Sequence, residues 1–135
     1  MENNNWIYIG IFLDKESSTK LMNALHDYIP NGWKVYCHHM TLAFNDCSDN
    51  AQKFYNFYSP HFGEKCTLQV VGCGISDKAL AVQVSSPCET SNKIPHITVA
   101  VAPNGKPVDS NYITNWMNVN DGLTLKGIIN EFKRR

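Results

Sequence analysis

Two short segments of the chain repeat one alternating pattern, and this repeat restricts the folds that can accommodate both. The segments 39–44 (His-Met-Thr-Leu-Ala-Phe) and 96–101 (His-Ile-Thr-Val-Ala-Val) begin 57 positions apart. Because consecutive side chains of a β-strand point to opposite faces, each segment is expected to carry its histidine, threonine and alanine on one face. The other face then turns apolar side chains into the core, namely Met40, Leu42, Phe44, Ile97, Val99 and Val101. The fold must therefore present two such strands on a half-buried sheet.

The remaining patterns predict further strands and helices in an order that defines the fold class. Apolar positions at helical spacing follow possible N-caps at Asp14, Ser17, Ser18 and Ser48, and Gly72 and Gly74 indicate a bulge within a strand. The predicted elements are strand 6–13, helix 14–28, strand 34–44, helix 48–58, strands 65–75, 78–85 and 96–102, a short helix 110–117 and strand 123–132. Residues 1–135 are therefore predicted to form a single α+β domain, with helices on one face of a mainly antiparallel sheet.

The charge balance restricts the partners of the chain. Twelve Lys and Arg residues offset twelve Asp and Glu residues, which argues against binding to long duplex nucleic acid or to an anionic membrane, because a basic surface supplies most of that affinity. Arginine occurs only at Arg134 and Arg135, so no interior guanidinium can grip a phosphate with two parallel hydrogen bonds. A small or short anionic ligand, held by Lys, His, hydroxyls or backbone amides, remains the expected partner.

The chain start and the cysteines predict the compartment. The first five residues lack the basic character of a signal peptide, and the apolar run 6–13 is too short to cross a bilayer. The five cysteines are an odd number and form no C-x-x-C pair, which argues against a disulfide framework or a four-cysteine zinc site. We expect a soluble, cytoplasmic protein whose thiols are free and buried.

The two matched segments predict acid–base chemistry at a phosphorus atom. His39 and His96, with ordinary pKa values near ~6.5, can act as a base and an acid at neutral pH without a metal or other cofactor. Thr41 and Thr98 can donate hydrogen bonds to phosphate oxygens, where negative charge builds up in the transition state. Ala43 and Ala100, next on the same face, are expected to leave room for a ligand. His38 is expected to alternate onto the opposite face, where its role would be structural.

This double H-x-T-x pattern resembles the 2H phosphoesterase superfamily, which includes RNA 2′,3′-cyclic phosphodiesterases and the phosphodiesterase portion of fungal tRNA ligases. The resemblance implies two pseudo-symmetric lobes of antiparallel strands flanked by helices, each lobe giving one motif strand to a central cleft. It implies catalytic roles for His39, Thr41, His96 and Thr98. Candidate substrate-binding residues are the aromatic side chains, which could stack on a base, and one lysine that could steer a phosphate: Tyr8, Trp33, Tyr36 and Lys93.

We therefore expect a monomeric, metal-independent phosphodiesterase that acts on small ribonucleotide phosphodiesters. Cyclic dinucleotides or 2′-5′-linked signalling nucleotides are the favoured substrates, because a neutral, arginine-poor chain suits a short ligand and the chain resembles small viral and phage members that degrade immune signals. The alternatives are end processing of RNA 2′,3′-cyclic phosphates, a module that sequesters a nucleotide without turnover, and a protein-interaction domain. The sequence leaves open which histidine is the acid and which is the base.

Overall fold

The computed structural model describes residues 5–119 and 122–133, and within these ranges it contains eight strands, two α-helices and three short 3₁₀ helices. The strands are β1 (Trp6–Leu13), β2 (Lys34–Val35), β3 (His39–Phe44), β4 (Lys65–Ile75), β5 (Ala79–Ser85), β6 (His96–Val101), β7 (Trp116–Asn118) and β8 (Thr124–Lys133). The helices are α1 (Lys15–Leu25) and α2 (Asp49–Tyr58), and the 3₁₀ helices are His26–Tyr28, Ser59–His61 and Pro107–Tyr112. The predicted α+β class is confirmed. Arg134 and Arg135 lie outside the described residues.

The two α-helices begin at side chains that cap their first turns. Asp14 accepts a hydrogen bond from the backbone N–H of Ser17 at 2.7 Å, and Ser48 accepts one from Ala51 at 3.1 Å. Each cap satisfies one of the free N–H groups at a helix start. Helix α1 packs on β8 and β1, and α2 packs on β3, so both helices cover the outside of the sheet.

The strands pair antiparallel throughout the described residues, and the pairings close on themselves. The order β3-β1-β8-β4-β5-β6 returns to β3 through a contact between β6 and β3. The short strands β2 and β7 pair with the second halves of β6 and β4. The enclosed core is apolar, and its largest fully buried side chains include Trp6, Ile9, Ile11, Leu21, Met40, Leu42, Leu68, Leu80, Ile97 and Leu125. This closed sheet fixes the positions of both motif strands.

Both motif strands contain a bulge directly after the threonine, which the alternating pattern did not predict. The register of β3 on β1 pairs Thr41 with Gly10 but Ala43 with Ile9, so Leu42 is the extra residue. The register of β6 on β5 likewise skips Val99, between Thr98 and Ala100. A bulge sends two consecutive side chains to the same face.

The bulges correct two expectations about the motif strands. Ala43 and Ala100 are 1% and 0% exposed, so they do not leave room for a ligand beside the threonines. Phe44 is 54% exposed and pairs with Tyr8 rather than entering the core. Val101 is buried, but it packs with Ala79, Ala81 and Ile113 in a smaller cluster that is separate from the main core. The alternation holds from the histidine to the residue after the threonine, since Leu42 and Val99 are fully buried as predicted.

Two predicted elements differ from the observed ones because tertiary pairing overrides local pattern. The predicted strand 34–44 is interrupted between β2 and β3, where Cys37 adopts a left-handed backbone conformation with φ 55°. The predicted helix 110–117 is instead the Pro107–Tyr112 3₁₀ helix followed by β7, which pairs with β4 from Gly72 to Gly74. The predicted bulge in β4 is confirmed by the register shift between Val70 and Gly72.

The cysteines are all free, as expected, although not all of them are buried. Cys37 and Cys66 are buried, whereas Cys47 is exposed in the loop after β3, also with a positive φ of 64°. None of the helices in the described residues is long and apolar enough to cross a membrane.

The bulge in β3 predicts unequal stability effects at Phe44 and Leu42, which strict alternation would place together in the core. Phe44→Ala should lower the free energy of unfolding by less than about 1 kcal/mol, since surface substitutions rarely cost more. Leu42→Ala, at a fully buried position, should cost about 2–5 kcal/mol. Urea denaturation of both variants measures the difference. A loss of several kcal/mol in Phe44→Ala would mean that this ring belongs to the core.

Candidate active site

The two motif strands meet at one buried pair, and this pair places the polar side chains of both motifs together. Met40 on β3 is the register partner of Ile97 on β6, and both side chains are 0% exposed. The neighbours of this pair project from the opposite face of the sheet. With antiparallel register, His39 therefore lies opposite Thr98, and Thr41 lies opposite His96. Each histidine is thus set beside the threonine of the other motif.

His96 is held in one orientation by a backbone carbonyl. Its Nδ1 lies 2.7 Å from the carbonyl oxygen of Ile94, which can only accept a hydrogen bond. Nδ1 therefore carries the proton, and in the neutral ring Nε2 keeps a free lone pair. The ring is 8% exposed, and burial lowers the pKa of His96 below its ordinary value. Near neutral pH this histidine is an uncharged proton acceptor.

His39 is packed among aromatic rings. The Tyr8 ring stacks on it with centroids 4.6 Å apart and an interplanar angle of 20°, and Phe12 lies 5.7 Å away. Burial, with smaller contributions from the nearby charges of His38 and His96, lowers the pKa of His39 to about 3. The influence of His96 on His39 agrees with their placement on one face. His39 is therefore also uncharged in the free protein near neutral pH.

His38 lies on the same side as His39, contrary to the expectation that it would alternate to the other face. The two Nδ1 atoms are 2.6 Å apart. The cause is the left-handed conformation of Cys37, which precedes β3 and breaks the strand alternation before the motif begins. The edge of the Tyr36 ring contacts the other side of His38, with centroids 5.6 Å apart.

The two threonines are not equivalent. The hydroxyl of Thr98 lies 2.8 Å from that of Ser110, a residue only 1% exposed, and can donate to the carbonyl of Pro107 at 3.4 Å. The hydroxyl of Thr41 makes no hydrogen bond to another residue in the described part of the chain, whereas its carbonyl accepts one from Thr90 at 2.9 Å. Thr41 is thus available to a ligand, while Thr98 is already oriented by the Pro107–Tyr112 3₁₀ helix.

A cavity of about 580 Å³ opens beside His96. It is lined by the loop before β6 and by the segment from the 3₁₀ helix to β7: Ser91, Asn92, Lys93, Ile94, His96, Ser110, Asn111, Tyr112, Ile113, Thr114 and Trp116. The volume lies within the range typical of small-molecule sites. Lys93 is exposed at this cavity, which places a cation beside one of the two histidines.

Of the candidate substrate-binding residues, the structure brings Tyr8 and Lys93 to the two histidines. Tyr36 reaches only His38 and packs on the smaller cluster, and Trp33 is partly buried against the main core. Sequence reasoning missed His38, Phe12, Ser110 and Trp116. Phe12 could have been found, because it lies four residues after Tyr8 and so shares its face of β1. The position of His38 depends on the left-handed backbone of Cys37, and Ser110 and Trp116 reach the site through nonlocal contacts that leave no sequence motif.

No group of three or more His, Cys, Asp and Glu side chains within residues 5–119 and 122–133 is placed to hold a metal ion. The two motifs bring two neutral imidazoles and two hydroxyls to one face of β3 and β6, and the exposed ammonium of Lys93 lines the cavity beside His96. The antiparallel fold and its paired His-x-Thr strands are those of a 2H phosphoesterase.

Comparisons with known proteins give the same assignment. The family model described as the fungal tRNA ligase phosphodiesterase domain matches residues 18–133, so the chain belongs to this family. One similar solved structure is a fungal RNA kinase, with a TM-score of 0.72 and 14% sequence identity over 100% of this chain and 47% of that chain. At this identity the likeness concerns the fold, and the chain spans about half the length of that protein. No curated protein matches the chain.

The difference between the two threonines predicts unequal stability effects. Thr98→Val leaves the buried Ser110 hydroxyl without its 2.8 Å partner, and an unsatisfied buried hydroxyl costs about 1–3 kcal/mol. Thr41→Val makes the same change of shape but breaks no hydrogen bond of the hydroxyl, so it should lower the free energy of unfolding by less than about 1 kcal/mol. Thermal or urea unfolding of the matched pair measures this. Equal losses would contradict the assigned hydrogen bonding.

Proposed function

We propose that this protein is a phosphodiesterase that hydrolyses ribonucleotide phosphodiesters, with the 2′,3′-cyclic phosphate of an RNA end as its principal substrate. The observation that carries the proposal is the juxtaposition of His39 and His96 on one face of β3 and β6, through the buried Met40–Ile97 pair. An acid and a base on either side of one phosphorus can serve attack and departure in the same step. Membership of the tRNA ligase phosphodiesterase family supports a cyclic phosphate.

The surroundings of the two rings support different roles. His96, with Nδ1 bonded to the Ile94 carbonyl, offers the Nε2 lone pair and acts as the base that takes a proton from the attacking water. His39 then acts as the acid that gives a proton to the departing ribose oxygen. These roles follow from a general property of imidazole: the hydrogen bond made by one ring nitrogen determines whether the other nitrogen carries a proton.

The remaining groups stabilise the charge on the phosphate. The Thr41 hydroxyl donates to one non-bridging oxygen, and the Thr98 hydroxyl exchanges its weak 3.4 Å contact with the Pro107 carbonyl for a second one. Lys93, exposed at the cavity beside His96, attracts the anion. The negative phosphate between the rings also raises the pKa of both histidines, because an opposite charge favours the protonated form. Binding of substrate thus helps to charge the acid.

A second candidate substrate class is a cyclic dinucleotide or a 2′-5′-linked oligoadenylate. The net charge of zero and the absence of arginine before position 134 favour a short ligand over a long RNA, which both classes satisfy. A chain with this activity would act in the cytoplasm as a monomer and remove an immune signal, as a viral or phage protein does during immune evasion. Rates of hydrolysis on members of both classes distinguish the two candidates.

The experiment that tests the proposal is hydrolysis of a substrate panel in excess EDTA. The panel contains 2′,3′-cyclic AMP, an RNA oligomer with a 2′,3′-cyclic phosphate end, a 2′,3′-linked and a 3′,3′-linked cyclic dinucleotide, and a 2′-5′ oligoadenylate. We expect metal-independent cleavage with the highest kcat/KM on the two cyclic-phosphate substrates. A preference for the dinucleotides or oligoadenylate would favour the second class. Binding without cleavage of any member would instead support a sequestering module.

Replacing either histidine should abolish most of the turnover. His39→Ala and His96→Ala should each lower kcat by about 10²–10⁴-fold, the usual contribution of a general acid or base, while Thr41→Ala and Thr98→Ala should lower it less. His61→Ala, a partly exposed histidine near Glu64, serves as the control and should leave kcat unchanged. Steady-state kinetics of variants with a native circular dichroism spectrum measure these effects. Near wild-type turnover in either motif-histidine variant would contradict the proposal.

The lowered pKa values predict an acid-shifted rate profile. Catalysis needs one proton-carrying and one neutral histidine, and in the free protein the pKa of His39 is about 3 and that of His96 lies below its ordinary value. The profile of kcat/KM reports the free protein, so its maximum should lie below pH ~6.5 and fall as the pH rises past neutrality. The profile of kcat should extend to higher pH, because bound phosphate raises both pKa values. A kcat/KM that rises with pH through neutrality would contradict this.

A further inference from the structure

His38 and His39 form a hydrogen bond between their rings. Their Nδ1 atoms are 2.6 Å apart while their ring centroids are 4.7 Å apart, with an interplanar angle of 19°. The separation of nitrogens is far shorter than that of the centroids, so the rings meet edge to edge with the two nitrogens between them. One imidazole nitrogen must donate and the other must accept. The bond therefore links the protonation states of the two residues.

The position of His38 is fixed by its backbone rather than by chance packing. The carbonyl of Cys37 accepts a hydrogen bond from the Ser18 hydroxyl at 2.7 Å, and the carbonyl of His38 accepts one from the Leu13 N–H at 2.9 Å. The N–H of Cys37 donates to the carbonyl of Thr98 at 3.1 Å. Cys37 itself stands at φ 55°, a left-handed conformation that is unfavourable for a residue other than glycine. Such strain persists where surrounding bonds enforce it, and it is frequent at functional sites.

We propose that His38 positions His39 and supplies its proton, a role that rests on the phosphodiesterase function proposed above. In its protonated form, His38 donates its Nδ1 proton to Nδ1 of His39. His39 then holds its own proton on Nε2, directed to the cleft. As that Nε2 proton passes to the departing ribose oxygen, the Nδ1 proton of His38 passes to Nδ1 of His39.

The protons gained and lost by the three histidines balance over one turnover. His96 gains the proton of the attacking water, the departing oxygen gains the Nε2 proton of His39, and His38 changes from imidazolium to neutral imidazole. After product release His96 loses its proton to water. Nε2 of His39 takes a proton from water, and the Nδ1 proton returns to His38. The bond between phosphorus and the departing oxygen is replaced by one to the water oxygen.

The unequal exposure of the two rings supports these roles, with His38 as the proton supplier and His39 as the acid. Burial lowers the pKa of both histidines, but the more buried His39 falls to a pKa of about 3, whereas the His38 ring is exposed and exchanges protons with water. The other titratable groups facing the pair are His96, the phenols of Tyr8 and Tyr36, and Lys34, whose Nζ lies 5.2 Å above the Tyr36 ring. No carboxylate in the described ranges bonds either ring, so His38 takes the place that a carboxylate or carbonyl often holds beside a catalytic histidine.

The hydrogen bond is tested without any substrate by ¹⁵N NMR of the imidazole rings. In the wild-type protein at neutral pH we expect His39 protonated on Nε2 and His96 protonated on Nδ1. His38→Asn keeps an amide donor near the position of Nδ1 and should preserve the Nε2-protonated form of His39. His38→Ala removes the donor and should shift His39 toward a mixture of the two forms. An Nδ1-protonated His39 in the wild type, or spectra of His39 unchanged by His38→Ala, would overturn the positioning role.

The proton supply is tested by kinetics on the cyclic-phosphate substrate. His38→Asn should lower kcat at neutral pH by about 10–100-fold with KM nearly unchanged, and it should move the alkaline fall of kcat to lower pH. Exposed His26, which contacts Asp27, gives the control variant His26→Ala, with unchanged kcat and profile. Added imidazole should restore part of kcat in His38→Ala. A wild-type kcat and profile in His38→Asn would overturn the proton supply. Absence of turnover in the wild type would instead overturn the proposed function, while the NMR result stands independently.

Discussion

The active face of this protein depends on one contact, the pairing of Met40 on β3 with Ile97 on β6. These two buried side chains are the point at which the first and second halves of the sheet close, and burying an apolar side chain of this size stabilises a fold by about 1.5–3 kcal/mol. Because side chains alternate, sealing this pair in the core forces both histidines and both threonines out on the opposite face. The same contact therefore packs the core and brings the polar side chains of the two motifs together.

The same arrangement makes two similar motifs behave differently. His96 is bonded to a carbonyl that can only accept, whereas His39 is bonded to a second imidazole that can donate or accept. Packing against Tyr8 removes water from His39, so the neutral ring is favoured until an anion enters the cleft. Under the proposed function, a bound phosphate would raise the pKa of both histidines and so change the charge state of the groups that hold it.

The sequence predicted the elements that carry strong local signals, including the first strand, both α-helices with their Asp14 and Ser48 starts, and the two histidine strands. It could not predict the bulges after the threonines, because the register of β3 on β1 depends on a partner distant in the chain. It also misplaced His38, whose orientation follows from a left-handed Cys37 that is held by hydrogen bonds to Ser18 and Thr98. The candidate histidines and threonines do meet on one face, but the groups that orient them come from nonlocal contacts.

The proposed function requires that His39 and His96 together cleave a phosphodiester without a metal. The most direct test compares the wild-type protein with the folded double variant His39→Asn/His96→Asn on 2′,3′-cyclic AMP, both freed of metal by EDTA and followed by ³¹P NMR. The wild type should convert the cyclic phosphate to a single monoester, and the double variant should show no conversion above background. Conversion that persists in the double variant, or that appears in the wild type only when a metal is restored, would contradict the proposed function.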